Sequence, residues 1–424
     1  MRRLLLHRMP ALNNIARLPW IKGNIRKLEK GGSLWEPSRL FDNGEQGAWY
    51  DPSDLSTMFQ DSAGTTPVTA DLQSVGLILD KSKGLVLGPE LVVNGNFASG
   101  TSTGWTMTFN ASGSSVINEE FNVVVSGGSG GFYQDLTVVM GSYYEVSVLM
   151  RKVSGAAGVR IQFFDGASFT NAITQSSYIT TVGSATKYTF RIRTTLSSVL
   201  RVYLFAQDAT TGGFDNVSAK LLPGNHASQA TAASRPLYKT DGTYHWLQFD
   251  GVDDSLRTEA INFTATDKMS TFIGYRMTGS GTYRTIIELS ADSAANDGSF
   301  GILGSNNAPT GNYLYCRGTN FATGQSMFPS NKNVFTTLWD LSKSTIATEL
   351  TARRNSVPDS LTYSGAASAG NGPFGNYPIF MGAKGGVSSI FGGNAYSIII
   401  RGALSTTQQI TDTETWVNGK TGAF

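Results

Sequence analysis

The sequence predicts an all-β chain: two antiparallel β-sandwiches in tandem after a mostly irregular N-terminal region with short helices. Three observations predict it. Charged residues are 15 % of the 424 positions, well below the ~25 % usual in globular domains. Glycine is high at 48 residues, and Ser and Thr are abundant throughout. Runs rich in Val, Thr, Tyr, Phe and Ile recur with turns every ~8–12 residues, the signature of a sandwich rather than a helical bundle. Hydrophobic residues at 40 % and aromatics at 11 % suffice for real cores, which excludes a disordered chain.

Residues 1–32 form a basic arm. Eight Lys/Arg (Arg2, Arg3, Arg8, Arg17, Lys22, Arg26, Lys27 and Lys30) face one acid, Glu29, so the net charge of +2 conceals an acidic remainder. A short helix is expected around Asn13–Arg17, before Pro19. The apolar run Leu4–Leu6 is too short for an export signal, which needs ~7–15 such residues. No run reaches the ~18 residues of a membrane span. Either the arm docks on a larger assembly or it is a solvated terminus; nucleic acid is not expected beyond it.

Residues 33–87 hold the acid- and aromatic-rich stretch "AWYDPSDLSTMFQD". Asp51 suits an N-cap, with Pro52 at the first helical position and Asp54 at the third. Leu55, Met58 and Phe59 would then form an apolar helical face, and Asp61 a turn. Residues 88–223 carry strands in alternation: in "YEVSVLMRK", Val146, Val148 and Met150 share one face, and in "YTFRIRT", Tyr188, Phe190 and Ile192 do. Residues 224–237 read as a linker, small, polar and broken by Gly and Pro. Residues 238–424 repeat the β pattern, from "HWLQFDG" to "AYSIIIRG". Their last helix would be capped by Ser405 or Thr406, carry Ile410, Thr413 and Trp416, and stop at Gly419 against a sandwich edge.

Catalytic and metal chemistry find little support. Cys316 is the only cysteine, and His7, His226 and His245 lie in no ligand spacing. Glu288 and Asp292 are four apart, hence ~13 Å along a strand, beyond the ~5–9.5 Å of a glycosidase pair. The densest acid cluster is Asp250, Asp253 and Asp254. An Asp-Gly turn at Asp250–Gly251 accounts for it best, with metal binding the alternative.

Three resemblances add to this reading. "GEQGAWYDPSDLSTMFQDSAGTTPVTADLQSVGLILDKSKG" resembles a segment near the front of many tailed-bacteriophage virion proteins. It implies a virion-attachment module over 33–87, with Trp49, Tyr50, Asp51 and Phe59 as contact candidates. "PELVVNGNFASGTSTGWT" and "GGFDNVSAKLL" resemble the first and last strands of jelly-roll carbohydrate-binding modules. That resemblance implies sugar binding through exposed aromatics, the candidates being Trp105, Tyr133, Tyr143 and Tyr144, with Trp246 in the second sandwich. It also implies a structural calcium near Asp215 and Asn96, although Ala98 stands where the family has an acid. "HWLQFDGVDDSLRT" with "GNAYSIIIRGALSTTQQITDTETWVNGKTG" resembles concanavalin-A-like, laminin-G-like jelly rolls.

Together these imply a non-enzymatic structural protein on the tail or capsid exterior of a tailed phage, made in the bacterial host cytoplasm. Its N-terminal region would join other virion proteins, and its two lectin-like jelly rolls would hold host-surface polysaccharide. A homo-oligomer, and by the resemblance a trimer, is expected. The alternatives are an architectural decoration protein without sugar binding and a polysaccharide depolymerase.

Overall fold

The computed structural model describes residues 35–279, 283–290, 292–293, 295–305, 311–327 and 332–424. The basic arm and its expected helix lie outside the described residues. What is described is nearly all β, in four antiparallel sheets that form two sandwiches in tandem.

The front segment is woven into the second sandwich. β1 (Gly47–Tyr50) pairs with Gly392–Arg401, placing Tyr50 opposite Ile398. β2 (Met58–Phe59) pairs with β3 (Leu77–Ile78), which pairs with Ala227–Ser228 of the expected linker. One short stretch thus extends both sheets of that sandwich. The helix expected from Asp51 does not form. Asp51 instead closes a turn, its carbonyl accepting from the Asp54 amide and its Oδ1 from the Ser53 amide and hydroxyl. Asp54 caps a single 3-10 turn, Leu55–Thr57, by accepting from the Ser56 amide. A longer helix would consume Met58 and Phe59, whose backbone groups are needed by the sheet. Asp61 is the expected turn residue and accepts from the Thr65 and Thr66 amides.

The first sandwich follows the predicted alternation. Its strands are β4 (Thr106–Met107), β5 (Ser115–Ile117), β6 (Glu120–Val124), β7 (Ser129–Thr137) and β8 (Tyr143–Ser154). Then come β9 (Val159–Asp165), β10 (Ala172–Gln175), β11 (Thr186–Arg193), β12 (Val199–Gln207) and β13 (Thr211–Leu222). They form sheets ordered β10-β9-β12-β7-β4 and β11-β8-β13-β6-β5. Val146, Val148 and Met150 point into the core with Phe190, Ile192, Ile161 and Phe214. The alternate residues Ser147, Leu149 and Lys187 are therefore on the outer face.

The second sandwich packs an eight-stranded against a ten-stranded sheet around Trp339, Phe300, Ile287 and Ile400. The C-terminal helix spans Thr407–Thr421, capped by Thr406, one of the two expected caps, in a capping box with Gln409. It lies across the outer face of the eight-stranded sheet, not on an edge, because Ile410 and Val417 cover Phe272, Val334 and Ile399. It also runs past Gly419 to a left-handed cap at Gly422, where Asn418 Oδ1 accepts from the Ala423 and Phe424 amides. Arg353 pairs with the fully buried Glu414 at 2.8 Å and pins the helix to the sheet.

The sandwiches meet through Phe59, Leu77 and Leu79 packed on Tyr143 and Leu222 of the first. Arg193 adds a hydrogen bond to Glu259 across the junction.

Candidate functional site

A groove of about 640 Å³ opens on the outer face of the β11-β8-β13 sheet. Two irregularities build it. One is a bulge in β13, where the register to β8 shifts between Asp215 and Ser218. The other is the turn Asn94–Phe97, in the irregular segment ahead of β4, which lies against that bulge. The Val217 amide donates to the Gly95 carbonyl, and a Cβ on Gly95 would collide with the Val217 carbonyl oxygen. Only glycine fits there. Asn94, Phe97 and Asn216 all adopt positive φ, at 53°, 48° and 48°. Asn94 and Asn216 line the cavity, whereas Phe97 is buried beneath the turn; asparagine tolerates the left-handed region, and the phenylalanine there carries the local strain.

Much of the polar lining is already engaged. Asn94 bonds the Thr101 and Thr103 carbonyls. Glu90 ties the segment ahead of the turn to β13: its carboxylate accepts from the Leu91, Val92 and Ala219 amides and from the Ser218 hydroxyl. The groups left facing the groove are the Asn96 amide nitrogen, the Asn216 amide oxygen, the Ser147 hydroxyl and the Lys187 ammonium, above an apolar patch at Leu149. Amides and hydroxyls around a small apolar floor can hydrogen-bond a polyhydroxylated ring and cover its C–H face.

The predicted aromatic candidates lie elsewhere. Trp105 is 7 % exposed, stacks on Phe97 at 5.9 Å and belongs to the core under the turn. Tyr143 and Tyr144 are also buried, Tyr143 at the junction with its ring edge to His226. Tyr133 sits half-buried on the outer face of the opposite sheet, with the Arg201 guanidinium 3.8 Å above its ring. Asp135 holds that guanidinium through two bonds, so one face of Tyr133 is covered. Trp246 packs half-buried on Tyr396 in the second sandwich. The structure therefore brings none of the aromatic candidates into the groove; burial of their large apolar surface in cores wins.

Among the metal candidates, Asn96 does line the groove. Asp215 does not. Both its oxygens accept from Asn216, and burial with the nearby Glu120 and Glu119 pushes its carboxyl above the usual range. The attachment candidates are interior: Trp49, Tyr50, Asp51 and Phe59 are each no more than 3 % exposed. Trp49 meets Trp416 of the C-terminal helix edge-on at 5.4 Å, and Asp51 takes Lys420 of that helix at 3.3 Å. This corrects the expected contact role: Trp49 and Asp51 dock the chain's own helix, Tyr50 lies in the core of the second sandwich, and Phe59 packs at the junction on Tyr143 and Leu222.

The acids Asp250, Asp253 and Asp254 do converge, their oxygens lying within 4.8 Å of one another. Each already serves the turn. Asp250 accepts from the Val252 and Asp253 amides, Asp254 from the Asp250 amide, and Asp253 from the Ser234 hydroxyl. Gly251 takes φ 81° as the turn requires. Burial and the two neighbouring carboxylates push Asp254 up to about 6. Its folded value thus exceeds the ordinary 3.8, so its charge opposes folding as pH rises through 4 to 6. Asp254→Asn keeps an acceptor for the Asp250 amide; it is expected to gain stability over wild type above pH 6 and lose that advantage by pH 4, read by urea unfolding. Glu288 and Asp292 do not form a pair: Glu288 is fully buried with Oε2 on the Gly385 amide, while Asp292 is exposed. No helix among the described residues is long and apolar enough to cross a membrane.

Glu90, Ser147, Lys187 and Asn216 were not singled out in the sequence. The usable signal for Ser147 was the outward phase of "YEVSVLMRK".

No family model matches the chain, and no curated protein does. Solved structures overlay parts of it. The CBM40 of the Ruminococcus gnavus IT-sialidase bound to α2,3 sialyllactose does so at TM-score 0.27 and 14 % identity, over 37 % of this chain and 96 % of that one. The CBM22-1-CBM22-2 tandem of Paenibacillus barcinonensis Xyn10C gives TM-score 0.29 and 12 % identity, over 74 % and 98 %. A structure described as NanB plus Optactamide gives 0.27 and 11 %, over 35 % of this chain and 24 % of its own. The chain thus spans about a quarter of that last protein. Overlays this partial carry no functional argument, and the fold is read from the chain's own sheets.

Proposed function

We propose that this chain is a non-catalytic glycan-binding protein whose first sandwich holds a saccharide in the groove between the Asn94–Phe97 turn and the β13 bulge. One observation carries the reading: the Asn94–Phe97 turn, seated on the β13 bulge where only Gly95 fits, shapes a groove of about 640 Å³ lined by amide, hydroxyl and ammonium groups. That volume lies within the ~300–1,000 Å³ of small-ligand sites. Binding at one such site is weak and gains from many copies.

Filling the groove tests it. Ser147 stands on the outer face of β8, so Ser147→Trp occupies the groove without entering the core. The full chain is screened on immobilised bacterial and plant polysaccharides. Ser147→Trp should lower retention on any bound glycan at least about tenfold, with an unchanged unfolding midpoint. Equal retention by the variant would place binding elsewhere.

The finer reading, a surface protein of a tailed phage particle displaying these modules to host polysaccharide, is supported by the resemblance of the front segment. With Trp49, Tyr50 and Phe59 interior, the basic residues 1–32 are the favoured anchor. Deleting residues 1–32 should abolish co-sedimentation with particles and leave glycan retention intact; co-sedimentation of the shortened chain would contradict that anchor.

A further inference from the structure

The geometry points to a carboxylate-bearing glycan, one containing uronic or other sugar acids, as the ligand class of the groove; this rests on the glycan-binding reading above. The argument is the distribution of charge along the rows of the sheet. Lys187 pairs with Leu149 on β8, and Leu149 pairs on its other side with Asp215 of β13. One row of the outer face therefore runs ammonium, apolar side chain, carboxylate, about 10 Å end to end at two strand spacings; Lys187 and Leu149 line the groove and Asp215 stands just beyond its lining.

The two ends differ in what they have left to offer. Asp215 is held by the Asn216 amide and side chain, at 2.6 and 2.8 Å, and borders Glu119 and Glu120. Lys187 is exposed and makes no ion pair among the described residues. The second ammonium, Lys220, stands 3.9 Å from Glu90, at the limit of an ion pair. That Glu90 already accepts three backbone N–H groups and a hydroxyl. Lys187 is thus the ammonium in the groove lining without a carboxylate partner among the described residues.

A neutral sugar would offer the Lys187 ammonium only uncharged hydroxyl and ring oxygens. A sugar acid supplies a carboxylate, so that donor and acceptor are both ionised and the bond is stronger. The Asn96 amide nitrogen, on the turn at the β13 side, adds a second donor to the groove lining. The acid end, already negative, repels a second carboxylate and so suits the hydroxyl-bearing side of the ring. The groove therefore selects charge and orientation together.

The test uses the full chain against polygalacturonate, alginate and hyaluronate, each also presented after carbodiimide–borohydride reduction of its carboxylates to primary alcohols. Binding to at least one native polymer, weakened about tenfold or more on the reduced form and by Lys187→Gln, is expected; that factor matches one charge-assisted hydrogen bond. The native-polymer signal should also fall with salt. Equal binding of native and reduced forms, or binding confined to neutral polysaccharides in the wider screen, overturns the sugar-acid assignment and leaves glycan binding standing. Absence of binding to every polysaccharide overturns both. Loss of binding in Lys187→Gln on reduced as well as native polymer also overturns it, because a neutral contact would then explain the residue.

Discussion

Replacing Trp49 with alanine is expected to destabilise the second sandwich by about 3–5 kcal/mol, the range for removing a large buried aromatic. Trp49 is 2 % exposed and sits in the small core between the eight-stranded sheet and the C-terminal helix, beside Phe41, Ile399 and Val417. It touches Trp416 edge-on at 5.4 Å and lies under the Lys81 ammonium at 4.5 Å. Its loss opens a cavity on which the helix and β1 both rest, so neither wall can collapse cheaply. Urea unfolding followed by circular dichroism measures it. Val252, 73 % exposed, provides the control: Val252→Ala should stay within about 0.5 kcal/mol. A Trp49→Ala cost below 1 kcal/mol would mean that the ring is a surface feature after all.

The second large effect is at the junction of the sandwiches. His226 is 3 % exposed, accepts the Asp80 amide on Nδ1 at 2.9 Å and meets the Tyr143 ring. Burial there lowers its value from 6.5 to about 4, against a smaller opposing pull from the Leu222 backbone. The folded value lies below the unfolded one, so between pH 4 and 6.5 the unfolded chain binds the proton and the folded chain does not. Stability from this group is fully present above 6.5 and lost as pH falls to 4, about 3 kcal/mol in all. Asp254 acts with the opposite sign over an overlapping window, so the wild-type curve partly hides both. The comparison of variants separates them. His226→Gln, whose carbonyl can still accept the Asp80 amide, should lose less stability than wild type between pH 6.5 and 4. Asp254→Asn should lose more. Parallel curves for His226→Gln and wild type would contradict a neutral buried His226.

The strands were legible because their information is local. Alternation in "YEVSVLMRK" and "YTFRIRT" fixes which face is buried, and the structure places Val146, Val148, Phe190 and Ile192 in the core as that alternation requires. The capping box at Thr406 is local too. The place of the front segment was not legible. Gly47 pairs with Arg401, and a four-residue strand carries no pattern that names a partner so far along the chain. The same distance hid the helix contact: Asp51 looked like an N-cap, yet Lys420 sets its role. The groove failed differently. Aromatic rings are the residue type that marks a sugar site in a sequence, and aromatics are what cores take first; the groove is lined by Ser147, Lys187 and Asn216, residue types common on any surface. What makes them a site is the bulge and the left-handed turn, which the run "NVSA" does not announce.

Hydrogen–deuterium exchange of the full chain, with and without a glycan it retains, tests the groove most directly. Binding should slow exchange in three separate peptides, covering residues 90–97, 147–149 and 216–220, and leave the Tyr133–Arg201 face and the second sandwich unchanged. Protection confined to the Tyr133–Arg201 face or to the second sandwich would contradict the groove as the binding site.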